Sequence, residues 1–134
     1  MQEKYIHDYT GLNTGFGEHV ETAKFGRNMH RRTVRNFLDV LILAEMRKGP
    51  LSGYDVMTFV HDRFRFLVSS GTIYSVMYSL ERNGLISGVS MQRKRIYRLT
   101  DKGKEAIRGV MSAGDETRYL VSGLLKLQND AHDR

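Results

Sequence analysis

The stretch that decides the fold runs from Gly49 to Thr100. It reads GPLSGYDVMTFVHDRF (49–64), SSGTIYSVMYSLERNGLI (69–86) and MQRKRIYRLT (91–100). The pattern predicts a short helix, a turn, a second helix and a two-stranded hairpin with a basic tip. Because these elements follow each other without a long linker, we interpret them as one structural unit.

The second helix of this stretch has one apolar face and one polar face. Its apolar residues recur at i, i+3, i+4 and i+7: Ile73, Val76, Met77 and Leu80. Four residues at its start are N-cap candidates: Ser69, Ser70, Gly71 and Thr72. Gly84 suits the left-handed position after its end. The polar face carries small hydroxyls that permit close approach to a phosphate backbone, although an ordinary surface helix would show the same pattern.

The hairpin and the residues just after it hold most of the chain's excess positive charge. Residues 92–108 contain seven Lys or Arg and two acidic residues, a net of +5, whereas the whole chain carries +6. Basic runs are commonly solvated surface, but a basic hairpin directly behind a helix–turn–helix favours a wing that contacts phosphates. Together these elements predict a winged helix, which places one helix in a DNA groove and an arm beside it.

These motifs, in this order, resemble the PadR family of winged-helix transcriptional regulators. The matching positions are Gly53-Tyr54, Thr72-Ile73-Tyr74, Leu80-Glu81, Gly84-Leu85-Ile86, Tyr97, Leu99, Thr100 and Gly103. The resemblance covers residues 34–107. The chain departs from the family pattern at Ser70 and Ser75, where proline is common, so its base contacts need not match those of any relative. The resemblance implies dimerisation through C-terminal helices and a small aromatic or drug-like effector bound near the dimer interface.

Composition narrows the class of protein further. With 134 residues, 40% of them hydrophobic, the chain can form one domain with a single core. It has no cysteine, no apolar run approaching the ~20 residues that span a bilayer, and no signal-peptide pattern at its start. We therefore expect a cytoplasmic protein without membrane association. The histidine spacings match no metal-ligand pair and no catalytic set is evident, so neither a cofactor nor enzymatic activity is expected.

Three segments are predicted along the chain. Residues 1–32 form a partly ordered N-terminal extension, residues 33–100 the winged-helix DNA-binding domain, and residues 101–134 a helical dimerisation segment. The first clear helix is expected to begin at Asn28 or Thr33 and to stop at Gly49-Pro50. Ser52 and Thr100 are expected to cap the helices that follow them. The helix after the wing is weakened by glycines and can be continuous or broken at residues 112–115.

A leucine-rich stripe near the C-terminus has no evident place in a small winged-helix core. Packing against its own domain is one explanation, but a helix this far beyond the wing favours a dimer interface. We assign that interface to Leu120, Leu124 and Leu127, with Phe37 and Leu41 of the first helix as a second layer.

The sequence thus predicts a mainly α fold with a small β-hairpin, which acts as a homodimeric regulator bound to double-stranded DNA. The candidate DNA-binding residues are Ser70, Thr72, Tyr74, Ser75, Tyr78, Arg93, Lys94 and Arg95. Of these, Tyr74 also fits a core position, because it lies one turn from Met77. The alternative function is a winged-helix module for protein–protein contact without specific DNA binding.

Overall fold

Six α-helices and a small antiparallel sheet follow one another in the described part of the chain. The computed structural model describes the backbone of residues 16–130 and the side chains of residues 22–123. In chain order the elements are α1 (Phe16–Asn36), α2 (Leu38–Met46), β1 (Leu51–Ser52), α3 (Gly53–Phe64), α4 (Ser70–Arg82), β2 (Ile86–Met91), β3 (Lys94–Leu99), α5 (Asp101–Ser112) and α6 (Gly114–Asp130). The predicted winged helix–turn–helix is confirmed. None of these helices is long and apolar enough to cross a bilayer.

Capping side chains start the helices where the sequence predicted. The Ser52 hydroxyl accepts a hydrogen bond from the Asp55 backbone N–H at 3.1 Å, and the Asp55 carboxylate accepts one from the Ser52 backbone N–H at 2.8 Å. This reciprocal capping box starts α3. Ser69 caps α4 and Thr100 caps α5 in the same way, each through its hydroxyl.

Replacing Ser52 with alanine is expected to cost about 1 kcal/mol of stability, the usual loss for an N-cap serine. The backbone and side-chain hydrogen bonds from Ser52 lower the pKa of Asp55. The Asp55 carboxylate therefore stabilises the fold above its unfolded-state pKa, and this contribution is lost as the pH falls through the lowered folded-state pKa. Urea unfolding should show that the difference in the free energy of unfolding between Ser52→Ala and wild type is smaller at acidic pH than at neutral pH. Ser87→Ala, at an exposed strand position, is the control and should unfold like wild type at both pH values.

The core lies where α2, α3, α4, β2 and α5 meet. Its most buried side chains are Leu38, Ile42, Val56, Val60, Ile73, Met77, Ile86 and Ile107. The apolar face predicted for the second helix is therefore the one that α4 buries. One glycine of the family motif also has a packing role: a Cβ on Gly103 would collide with the backbone carbonyl of Leu85, so α5 can lie against the start of β2 only with glycine there.

The first helix begins at Phe16, well before the predicted start at Asn28 or Thr33, and Phe37 separates α1 from α2. The residues of α1 that are at least half-buried recur at helical spacing: Thr22, Ala23, Gly26, His30 and Val34. Because most of these residues are small or polar, the sequence shows no regular spacing of apolar residues that would indicate this helix. The His30 ring packs edge-on against Phe66, with centroids 5.8 Å apart, and its Nε2 lies 3.4 Å from the Phe64 carbonyl oxygen.

The sheet has one strand more than the predicted hairpin. Its order is β1-β3-β2, with Leu51 opposite Tyr97 and Ile86 opposite Leu99. The hairpin strands reach the basic tip itself, so that Lys94 belongs to β3. At the other end of the domain, α5 ends at Ser112 and α6 begins at Gly114, so the helical segment after the wing is broken where the sequence left both possibilities open.

Candidate nucleic-acid interface

The exposed face of α4 forms one continuous stripe along the helix. Tyr74, Ser75 and Tyr78 share this face, and the two tyrosines are 48% and 67% exposed. Ser70 is exposed one turn before Tyr74. The structure thus leaves four of the predicted α4 residues exposed on the helix that buries Ile73 and Met77.

Thr72 differs from the other four because it belongs to the cap of α4. Its backbone N–H donates to the Ser69 hydroxyl at 3.2 Å, and the two side-chain oxygens lie 2.8 Å apart in a further hydrogen bond. The side chain is half-buried. Its first role is to fix the start of the helix, which in turn positions Ser70.

Tyr74 lies across the start of α3 rather than in the core. A Cβ on Gly53 would fall 2.5 Å from the Tyr74 ring, so the ring can lie there only because residue 53 is glycine. This contact joins the two helices of the helix–turn–helix at their exposed edge. It also leaves about half of the tyrosine open to solvent.

The tip of the wing is a two-residue turn that points basic side chains outward. Met91 pairs with Lys94, and between them Gln92 and Arg93 have φ angles of 46° and 68°. Turns with two left-handed residues match the twist of a hairpin, but Asn-Gly is the preferred pair there. Left-handed backbone at a residue with a Cβ costs on the order of 1–3 kcal/mol and recurs at functional sites.

Arg95 holds the wing against α4. Its Nη2 donates to both carboxylate oxygens of Glu81, at 3.0 and 3.1 Å, and its guanidinium lies 5.6 Å from the centre of the Tyr97 ring. The second Glu81 oxygen also accepts a hydrogen bond from the Gly88 backbone N–H at 2.7 Å. Glu81 raises the pKa of Arg95, which stays charged. We call the group Glu81, Gly88, Arg95 and Tyr97 the wing latch.

The wing latch was not predicted from the sequence. Arg95 was expected to contact DNA, and its engagement with Glu81 favours a positioning role for it instead. In the sequence, Glu81 stands out only as part of the Leu80-Glu81 motif. An acidic residue in the last turn of a helix is unfavourable because the helix C-terminus carries partial negative charge, so Glu81 needs a partner elsewhere. Its partners lie 7 and 14 residues away along the chain.

Removing the carboxylate of Glu81 is expected to loosen the wing. Glu81→Ala leaves the Gly88 N–H without its acceptor, a loss of about 1 kcal/mol, and it also removes the ion-pair partner of Arg95. Amide hydrogen exchange at Gly88 should therefore become about fivefold faster. Glu105→Ala, which removes the same charge from an exposed position on α5, should leave that rate unchanged. Equal rates in the two variants would show that Glu81 does not hold the wing.

The predicted dimer residues lie outside the core to different degrees. Leu120 is 63% exposed and Phe37 is 46% exposed, whereas Leu41 is half-buried against the core. The side chains of Leu124 and Leu127 lie outside the described residues. No described side chain of α6 is buried, so over residues 114–123 this helix has no extensive packing partner in the part of the chain that the structure describes.

A core-packed helix–turn–helix followed by a basic β-wing defines a winged helix of the kind found in DNA-binding regulators. The model described as the Transcriptional regulator PadR-like family matches residues 42–109. The chain belongs to this family of transcriptional regulators, as its motifs indicated. No protein with curated annotation matches its sequence.

Solved structures of other regulators share the fold. A PadR family transcriptional regulator from Eggerthella lenta is 25% identical, with a TM-score of 0.64 over 81% of this chain and 96% of that chain. A transcriptional regulator from Clostridium thermocellum is 22% identical, with a TM-score of 0.61 over 69% of this chain and 93% of that one. Bacillus subtilis PadR in complex with operator DNA is 30% identical, with a TM-score of 0.51 over 55% of this chain and 46% of that one.

Proposed function

We propose that this transcriptional regulator binds double-stranded DNA sequence-specifically as a homodimer. In each subunit α4 enters the major groove, and the wing lies on the phosphate backbone or in the adjacent minor groove. The observation that carries the proposal is the exposed stripe of Tyr74, Ser75 and Tyr78 beside a basic wing that Glu81 and Arg95 fasten to the same helix. The similarity to Bacillus subtilis PadR, solved with operator DNA, supports it.

Within this proposal the candidate residues have separate tasks. Tyr74, Ser75 and Tyr78 read base edges, because side chains near the middle of a recognition helix reach the groove floor. Ser70 lies near phosphates at the helix start, where exposed backbone N–H groups and the helix dipole favour anions. Arg93 and Lys94 contact the backbone from the wing. Thr72 and Arg95 act through the elements that they hold in place.

The chain divides into three segments by task. Residues 33–100 form the DNA-binding unit, residues 101–134 dimerise, and residues 1–32 are an extension whose last part belongs to α1. A second subunit would cover two apolar sets that are exposed in the single chain. The first set is Leu120 and Val121 on α6. The second set is Phe25 and Met29 on α1 together with Phe37, which directly follows this helix. A cytoplasmic location is part of the same proposal, since the regulator must reach its operator.

The test separates base reading from backbone contact. Tyr78→Ala and Ser75→Ala are expected to change the preference between operator variants by about 1–3 kcal/mol while changing affinity for random duplex far less. Fluorescence anisotropy with both kinds of duplex, at one fixed salt concentration, measures the two effects. Ser79→Ala is the control on the same helix.

An equal fall in affinity for specific and random DNA would remove Tyr78 and Ser75 from base recognition. If the wild-type chain bound DNA weakly and without dependence on salt, the alternative of a protein–protein module would hold instead.

A further inference from the structure

A basic cleft lies at the base of the wing, away from the proposed DNA-binding stripe. It has a volume of about 480 Å³, within the range of pockets that hold nucleotide-sized ligands. The end of α2, the loop before β1, the end of β3 and one face of α5 form its walls. No residue of α4 and no residue of the wing tip contributes to the lining.

The lining combines positive charge with an apolar floor. Its cationic residues are Arg47, Lys48, Arg98, Lys104 and Arg108, and none of its described lining residues is acidic. Leu99 and Pro50 supply part of the apolar surface. Five like charges around one cleft repel each other, and a bound anion relieves that repulsion.

Two of these cations are free to hold a ligand. Lys48 pairs with Glu45 at 3.1 Å, Lys104 lies 4.0 Å from Asp101, and Arg47 donates to the sulfur of Met111. Within the described residues, Arg98 and Arg108 have no carboxylate within 4.0 Å. They approach the cleft from β3 and from α5, so one anion with two separated charges can contact both.

The cleft also accounts for basic residues of the segment 92–108 that do not lie at the wing tip. Of the seven cations in residues 92–108, Arg98, Lys104 and Arg108 line the cleft and not the wing tip. Arg98 is five residues from Arg93 along the strand, a separation of about 16 Å at ~3.3 Å per residue. A backbone phosphate that meets the tip is therefore too far away to neutralise the cleft.

We propose that this cleft binds a small organic polyanion with at least two negative charges and an apolar or aromatic part, of the nucleoside diphosphate type. Arg98 and Arg108 bind its charged groups, since planar guanidinium groups match phosphate and carboxylate oxygens. Its apolar part lies on Leu99 and Pro50. Because the cleft joins the base of the wing to α5, the bound anion links the wing to the helix that leads into α6.

Titration calorimetry of the full chain with ADP, inorganic pyrophosphate and adenosine tests this proposal. The expected result is saturable binding of ADP at one site per chain, weaker binding of pyrophosphate and none of adenosine. Arg98→Gln with Arg108→Gln should weaken ADP binding by at least about tenfold, because each lost charged hydrogen bond is worth ~1.5–3 kcal/mol. Lys24→Gln with Arg32→Gln removes the same charge from exposed positions on α1 and should change the affinity for ADP less than about twofold.

Two further measurements separate the cleft from the DNA interface. ADP binding should persist when Gln92→Asn and Arg93→Gly are introduced at the wing tip, whether or not the chain binds an operator. Absence of saturable ADP and pyrophosphate binding, or equal weakening in the control variant, would overturn the proposal. A fall in duplex affinity for Arg98→Gln with Arg108→Gln, without any ADP binding to wild type, would assign the cleft to DNA instead.

Discussion

Replacing Arg93 and Lys94 with alanine is expected to weaken binding to every duplex, on the order of tenfold at physiological salt, and to flatten its salt dependence. Each phosphate contact contributes about −0.9 to the slope of log affinity against log salt concentration, so losing two contacts flattens it by about 1.8. The additional change Arg95→Ala should add little slope, because this guanidinium is bonded to Glu81 at 3.0 Å. Any effect of Arg95→Ala on duplex affinity should come instead from a wing that is held less firmly against α4.

A second variant separates the shape of the wing from its charge. Gln92→Asn with Arg93→Gly gives the two left-handed tip residues the pair that this turn prefers, so the hairpin should become more stable, by roughly 1 kcal/mol per residue relieved of strain. The same variant removes the Arg93 charge and should lower duplex affinity. A salt titration in which its slope equals that of wild type would exclude Arg93 from the interface.

Removing the chain from Tyr119 onward is expected to give a monomer or an aggregate with poor operator binding. Two recognition helices on one dimer bind as a linked pair, and losing the second half-site can cost about 10²–10⁴ in affinity. The winged helix itself should stay folded, because its core residues lie in α2 to α5. Circular dichroism checks the fold, and analytical ultracentrifugation shows whether the truncated chain has the mass of one subunit or of two, with the full 15.4 kDa chain as the reference.

A single substitution in the full chain tests the same interface more gently. Leu120→Glu should break the dimer, since a buried carboxylate without a partner is costly at an apolar interface. Leu120 is 63% exposed in the single chain, so the monomer itself should lose little stability. Ser122→Glu, about 200° around the helix at ~100° per residue, adds the same charge outside the stripe and should leave the dimer intact. A wild-type chain that stays monomeric at tens of micromolar would rule out this interface.

Features set by neighbouring residues were the ones the sequence could predict. The caps at Ser52 and Thr100 and the left-handed Gly84, whose φ is 74°, depend on interactions within a few residues. The apolar spacing of α4 predicted its buried face because the spacing of side chains follows from helix geometry alone. The candidate residues Tyr74, Ser75 and Tyr78 were placed together for the same reason.

Features that depend on distant residues could not be predicted. Strand β1 has only two residues and exists because Leu51 lies opposite Tyr97 in β3. The bond between Glu81 and Arg95 requires the hairpin to fold back on α4, which no local pattern encodes. The start of α1 was missed because its inner face uses Gly26 and His30 in place of large apolar side chains.

The wing latch connects the two elements that we propose to contact DNA. Glu81 is on α4, whereas Gly88 and Arg95 belong to the two strands of the wing, so one carboxylate fixes the angle between helix and hairpin. Its carboxylate carries a negative charge close to the proposed interface, which by itself weakens DNA binding. That electrostatic cost is offset if a rigid wing places Arg93 and Lys94 on the backbone without further loss of entropy.

Sequencing the genomic duplex fragments that co-purify with the full-length chain tests the central claim most directly. If two α4 helices related by a two-fold axis read the major groove, the fragments should share a near-palindrome with half-sites about 10 base pairs, or a multiple of that, apart. Fragments without a common motif, recovered in proportion to their length, would contradict sequence-specific recognition by a homodimer.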